Sequence, residues 1–118
     1  MKNARDKFVE LCLKLDEADK VTNTRKFNQT MRLLNKLTLY LDGNRDEATF
    51  LVELLEHENY SVRGYAATRC YDWGMNTKQA FAVMEEVFKN APIGNLRAGT
   101  GIKLGIISGR IALPPSNK

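Results

Sequence analysis

The sequence predicts an all-α protein, an α/α superhelix of about three stacked helix pairs and roughly six helices. Three observations lead there. Apolar residues recur at i, i+3, i+4 and i+7 in successive segments of helical length. Short breaks such as Asp42-Gly43-Asn44, Gly74-Met75-Asn76 and Ala91-Pro92-Ile93-Gly94-Asn95 separate those segments. Thirty-four positions after Val62-Arg63-Gly64-Tyr65-Ala66-Ala67 stands a counterpart, Leu96-Arg97-Ala98-Gly99-Thr100-Gly101. A period in the mid-thirties is that of stacked helix–turn–helix units. One pair cannot bury its own apolar face, so neighbours must stack.

Helix one, about 3–20, puts Phe8, Leu11, Cys12 and Leu15 on one face and Lys7, Glu10, Lys14 and Glu17 on the other. Val21-Thr22-Asn23-Thr24 offers N-cap candidates for helix two, about 24–41, which buries Phe27, Met31, Leu34, Leu37 and Leu41. Gly43 suits a left-handed C-cap, and Asn44 with Glu47 reads as a capping box. Helix three, about 45–57, carries Ala48, Leu51, Leu54 and Leu55. Ser61 is placed to cap helix four, about 62–73, with its stripe Val62, Ala66, Cys70 and Trp73. Asn76 with Gln79 repeats the capping pattern before helix five, about 77–90, which buries Ala80, Val83, Met84 and Val87. Helix six, about 96–111, carries Leu96, Thr100, Leu104 and Ile107, the stripe of helix four displaced by 34. The pairs are therefore 3–41, 45–73 and 77–111 within one domain spanning 1–118, with 112–118 as a tail.

The 118 residues are 43% hydrophobic and 27% charged, the balance of a globular domain. At this length a chain buries roughly 65% of its unfolded surface, enough for a core of its own. Cys12 and Cys70 both fall in apolar stripes and read as buried free thiols, a disulfide being the other reading. No secretory leader and no apolar run of membrane-spanning length is present, so a reducing cytoplasm is expected and no membrane role. The net charge of +4 is uneven. Residues 1–42 hold nine basic and six acidic groups, residues 43–92 five and eight, and residues 93–118 four and none. A last quarter without a carboxylate favours an acidic partner. A chance imbalance on a short segment accounts for it equally.

Leu54-Leu55, the turn, and Val62-Arg63-x-x-Ala66-Ala67 resemble a HEAT-type repeat over residues 48–107. The whole chain is similar to a family of short bacterial proteins known only as a domain of unknown function with an α/α-superhelix fold. Phe8 to Leu11, Leu54 to His57 and Val62 to Ala67 stand at that family's helix-hairpin and Val-Arg-x-x-Ala-Ala positions. The second unit departs from the pattern at Ala98-Gly99-Thr100-Gly101. The resemblance implies a HEAT-like fold and no particular activity. It favours binding of another macromolecule along a concave face.

No residue constellation points to catalysis, a cofactor or a metal, so an enzyme is not expected. His57 with two distant cysteines cannot complete a zinc site. In the last turn of helix three it reads as a cation meeting the helix dipole. Glu85 and Glu86 are adjacent on a helix and diverge. Gly99, Gly101, Gly105 and Gly109 follow no strand and lack the Gly-x-Gly-x-x-Gly or Gly-Lys-Ser/Thr spacing of a phosphate loop. Gly101, Gly105 and Gly109 would line one side of helix six, for close packing within the chain or for a dimer contact. Arg63 and Arg97, equivalent in the repeat, read either as ligand contacts or as links to neighbouring carbonyls and acids.

Tyr60, Tyr65, Tyr71 and Trp73 gather around helix four, Trp73 on its apolar stripe. Tyr65 and Arg69 share another face, and Arg69 and Lys103 are again 34 apart. Lys36 extends that row onto helix two. Lys36, Tyr65, Arg69 and Lys103 are thus the candidate partner-binding residues, against the alternative of a plain solvated face. The expected function is a non-catalytic protein-binding module for a protein with an acidic surface, in one form a bacterial immunity-type inhibitor of a toxin. The alternative is a nucleic-acid-binding HEAT-like protein using a basic concave face.

Overall fold

A computed structural model of the chain describes residues 3–110 and, among them, six helices and no strand. They are α1 (Ala4–Lys20), α2 (Thr24–Asp42), α3 (Phe50–Glu53), α4 (Tyr60–Asp72), α5 (Thr77–Asn90) and α6 (Asn95–Ile107). The predicted tail and residue 111 lie outside the described residues.

Amphipathic spacing and caps explain the first two helices. Asn3 Oδ1 accepts the Asp6 N–H at 2.8 Å, and Asn23 Oδ1 accepts that of Lys26 at 3.0 Å. Phe8, Leu11, Cys12, Leu15 and Ala18 of α1 are buried, as are Phe27, Thr30, Leu34 and Leu41 of α2. Each fully buried Leu or Phe contributes about 1.5–3 kcal/mol. The turn between the helices is a Schellman motif: Asn23 N–H donates to Ala18 C=O, and Thr22 N–H to Asp19 C=O. Thr22 occupies the left-handed position at φ 55°. The same motif recurs after α4, with Gly74 at φ 71°, and after α6, with Gly109 at φ 78°. Helix six therefore stops at Ile107 rather than 111, and Gly109 lies beyond it.

The third helix differs most from expectation. Residues 45–57 form a 3-10 turn (Arg45–Ala48), the short α3 and a second 3-10 turn (Leu54–Glu56). Ala48, Leu51 and Leu54 are spaced by three, the period of a 3-10 helix, and tightening the coil puts all three on one buried stripe. Asn44 makes no cap; its Nδ2 donates to Tyr40 C=O, while Glu47 accepts the Tyr40 hydroxyl. Gly43 is right-handed at φ −82°. Asn59, not Ser61, caps α4, its Oδ1 accepting the N–H groups of Ser61 and Val62. Asn76 is left-handed at φ 44° and bonds Gln79 through its side chain instead of capping α5.

The 34-residue register survives in the packing. Val62 and Leu96, Ala66 and Thr100, and Cys70 and Leu104 are all buried, while Trp73 and Ile107 are both partly buried. Helix α4 packs on α5, and α5 on α6. Gly64 lets α6 close on α4, since a Cβ there would lie 3.1 Å from Leu96 Cδ1. The first pair joins differently. Helix α1 packs along α2 and also against α4 and α6, so α1 rather than α2 is the main contact with the later pairs. Both cysteines are buried and free.

Candidate functional site

Because α1 fills the space beside α4, a groove opens with α2 on one side and α6 on the other. Its volume is about 640 Å³. Phe8, Tyr65 and Thr68 contribute to its floor. One wall runs from Phe27 to Thr38 of α2, and the other from Asn95 to Ile106 of α6. Each wall is eleven residue steps, about 17 Å or three helical turns. Met31, Leu34, Leu96, Ile102 and Ile106 make it largely apolar, and no Asp or Glu lines it.

The α6 wall is fastened through its N-terminus. Gly94, before α6, has no side chain to cap it, so Asp19 of α1 serves instead. Asp19 Oδ1 accepts Asn95 N–H at 2.9 Å and Asn95 Nδ2 at 3.1 Å, and Oδ2 accepts Leu96 N–H at 3.2 Å. One turn earlier, Asp16 receives the equivalent end of α4, from Asn59 Nδ2 and Ser61 Oγ at 3.3 Å each. Ser61 and Asn95 are themselves 34 apart, so the two repeat copies dock on carboxylates three residues apart on α1.

Three of the four predicted binding residues, Tyr65, Arg69 and Lys103, line the groove. Lys36 does not. It is exposed, about 140° round α2 from Met31, which does line the groove. Arg69 Nη2 bonds Asp72 Oδ2 at 2.9 Å, and Lys103 Nζ bonds Asp72 Oδ1. Both cations are thus already paired, which the sequence reading did not foresee. Among the described residues the Tyr65 hydroxyl has no hydrogen-bond partner. Burial first, and then the nearby Cys12, Asp19 and Asp16, hold its pKa above the ordinary phenol value. The apolar walls were missed because Phe27, Met31 and Leu34 read as core. Met31, only partly buried, is where that reading fails.

The remaining candidates resolve structurally. Arg63 links the stack, its guanidinium bonding Glu86 at 2.8 Å and the carbonyls of His57 and Glu58, over the Tyr60 ring. That bond holds Glu86 below the usual carboxylate range. Arg97 lies over Phe88, with 5.9 Å from its guanidinium carbon to the ring centroid. His57 lies just past the second 3-10 turn rather than inside a helix, and its Nδ1 accepts the Asn59 N–H at 3.0 Å. Gly101 packs on Phe88, where a Cβ would stand 2.6 Å from Cε1, and Gly105 is buried. At Gly101 and Gly105 the glycine face is thus packed within the chain, while Gly109, beyond the helix, is exposed. Among the described residues no three His, Cys, Asp or Glu side chains gather into a metal-binding group, and no helix is long and apolar enough to cross a membrane.

No family model matches the sequence, and no curated protein matches it. Among solved structures, the fold is similar to the crystal structure of the protein RPA1889 from Rhodopseudomonas palustris CGA009. That likeness has a TM-score of 0.76 at 20% identity, over 98% of this chain and 96% of that one. It establishes a shared helical fold.

Proposed function

We propose that the chain is a non-catalytic protein-binding module that seats a helical segment of its partner in the groove between α2 and α6. The observation that carries this is the pair of three-turn apolar walls around about 640 Å³ of open space. Every wall is a helix, so the fitting mode is a helix laid in a groove, anchored by side chains at i, i+3, i+4 and i+7. Gly99 supports close approach, since its α6 position has nothing within 4 Å of where a Cβ would be. An immunity-type inhibitor that occludes a toxin surface is the concrete form of this reading. The nucleic-acid alternative rests on Arg69 and Lys103, but the apolar walls offer phosphates nothing.

The test is site-specific photo-crosslinking in cells from Ile102, in the groove wall, against Glu85, exposed on α5. Adducts with one protein from position 102, absent from position 85 and lost on Met31→Asp, are expected. Adducts from position 85 alone, or a nucleic acid as the adduct at 102, would overturn the proposal.

A further inference from the structure

We infer that Asp72 is an internal stand-in for an acidic residue of the partner. The groove's occupant would be an amphipathic helix with carboxylates along one edge, and one of these takes Arg69 and Lys103 over from Asp72. This rests on reading the groove as a helix-binding site.

Charge is the first support. The groove lining contains Arg69 and Lys103 and no carboxylate, so an occupant with an acidic edge is complementary and one with a basic edge is repelled. The second support is where Asp72 sits. It is the last residue of α4, at the negative end of that helix's dipole, where a carboxylate is disfavoured. The third is accessibility. The side chains of Arg69, Asp72 and Lys103 are each about 30% exposed (32%, 28% and 29%), so water can enter and the exchange breaks no deeply buried pair. Arg69 is one turn of α4 beyond the floor residue Tyr65, and Lys103 is adjacent to Ile102. A helix whose apolar side faces the walls would therefore present its flanking edge to both cations.

The experiment uses three 18-residue helical peptides with the same leucine face. Their flanking edges are Glu, Gln or Lys. Each is titrated into methyl-labelled full-length protein, following Met31, Ile102 and Ile106. The Glu-edged peptide should bind about three- to tenfold more tightly than the Gln-edged one, the gap closing as salt is raised. Asp72→Asn should tighten the Glu-edged peptide by a similar factor and leave the Gln-edged one unchanged, which also shows that the variant's groove is folded. Arg69→Gln with Lys103→Gln should erase the Glu preference. Equal binding of Glu and Gln edges, or no gain on Asp72→Asn, would overturn the exchange while leaving the groove reading intact. Absence of groove methyl shifts with all three peptides would overturn the groove reading itself.

Discussion

Asp19→Ala is the most informative single perturbation, because Asp19 holds the α6 wall from a position 76 residues away. The magnitude follows from its three hydrogen bonds to Asn95 and Leu96. Loss of an N-cap acceptor costs about 0.5–2 kcal/mol. The carboxylate also faces the positive end of α6, worth a further 0.3–1 kcal/mol or so. Against this, Asp19 lies near the C-terminus of α1, and relief there returns a comparable dipole contribution. A net loss of about 1–2 kcal/mol is expected. Asp19→Asn, which keeps an acceptor, should lose about half as much or less. Helix α6 is sensitive because Gly99, Gly101 and Gly105 each lower its intrinsic stability, by roughly 0.8–1.0 kcal/mol relative to Ala. The assay is urea unfolding followed by circular dichroism, with hydrogen exchange at the amides of Asn95 and Leu96. Gly94→Ala supplies the internal control. Its backbone is extended and admits any residue, but a Cβ would sit 2.7 Å from Asp19 Oδ2. It should therefore be harmful in the wild type and nearly neutral beside Asp19→Ala, a coupling of at least about 0.5 kcal/mol. Unchanged amide protection in Asp19→Ala, or additive effects in the double variant, would refute the trans-capping role.

Three other outcomes are expected. Thr22→Gly should stabilise the fold by about 0.5–1 kcal/mol, because a β-branched residue at φ 55° is strained and glycine is not; an unchanged urea midpoint would contradict this. Gly99→Ala should add about 0.8–1.0 kcal/mol in thermal unfolding, since nothing lies within 4 Å of the new methyl. Burial raises the Cys70 thiol from 9.0 to about 11, so its contribution is complete below pH 9 and is lost as pH rises towards 11. Part of the alkaline loss of stability should then disappear in Cys70→Ala, and identical pH profiles for the two proteins would contradict the assignment.

The helices were legible because their apolar spacing is strict, and the stripe at 62, 66 and 70 reappears buried at 96, 100 and 104. Helix three was misjudged through its period. Ala48, Leu51 and Leu54 step by three, a spacing compatible with 3.6 over one turn, and 3-10 turns on either side of the short α3 keep all three on one buried stripe. The caps were misassigned one at a time for a common reason. Asn and Ser can bond several nearby backbone groups, and only the tertiary path of the chain selects one. Asn44 turned back to Tyr40 C=O, and Asn59 took the place expected of Ser61. The groove was the least legible feature. An apolar face on α2 carries the same signal whether another helix covers it or not. What leaves Met31 partly exposed is the position of α1 against α4, a long-range choice that no local pattern encodes.

The carboxylate-free last quarter of the chain gains a different meaning from this geometry. Read alone, four cations without an anion ask for an acidic partner. Part of that demand is met inside the molecule: Asp72 holds Lys103 and Asp19 faces the N-terminus of α6, while Arg97 and Arg110 meet no carboxylate among the described residues. The largest unpaired positive group on one helix is on α2, where Arg25, Lys26, Arg32 and Lys36 make no ion pair among the described residues. Lys36 does not line the groove, yet its charge acts over the screening length of about 8 Å at physiological salt. The two sets of cations are thus suited to different steps. Those on α2 would hasten the approach of an acidic partner, and neutralising them should slow association and weaken its salt dependence. Arg69 and Lys103, bound to Asp72 until a competing carboxylate arrives, would discriminate at contact and govern dissociation. An acidic protein lacking a helix with a carboxylate edge would then be attracted without being retained.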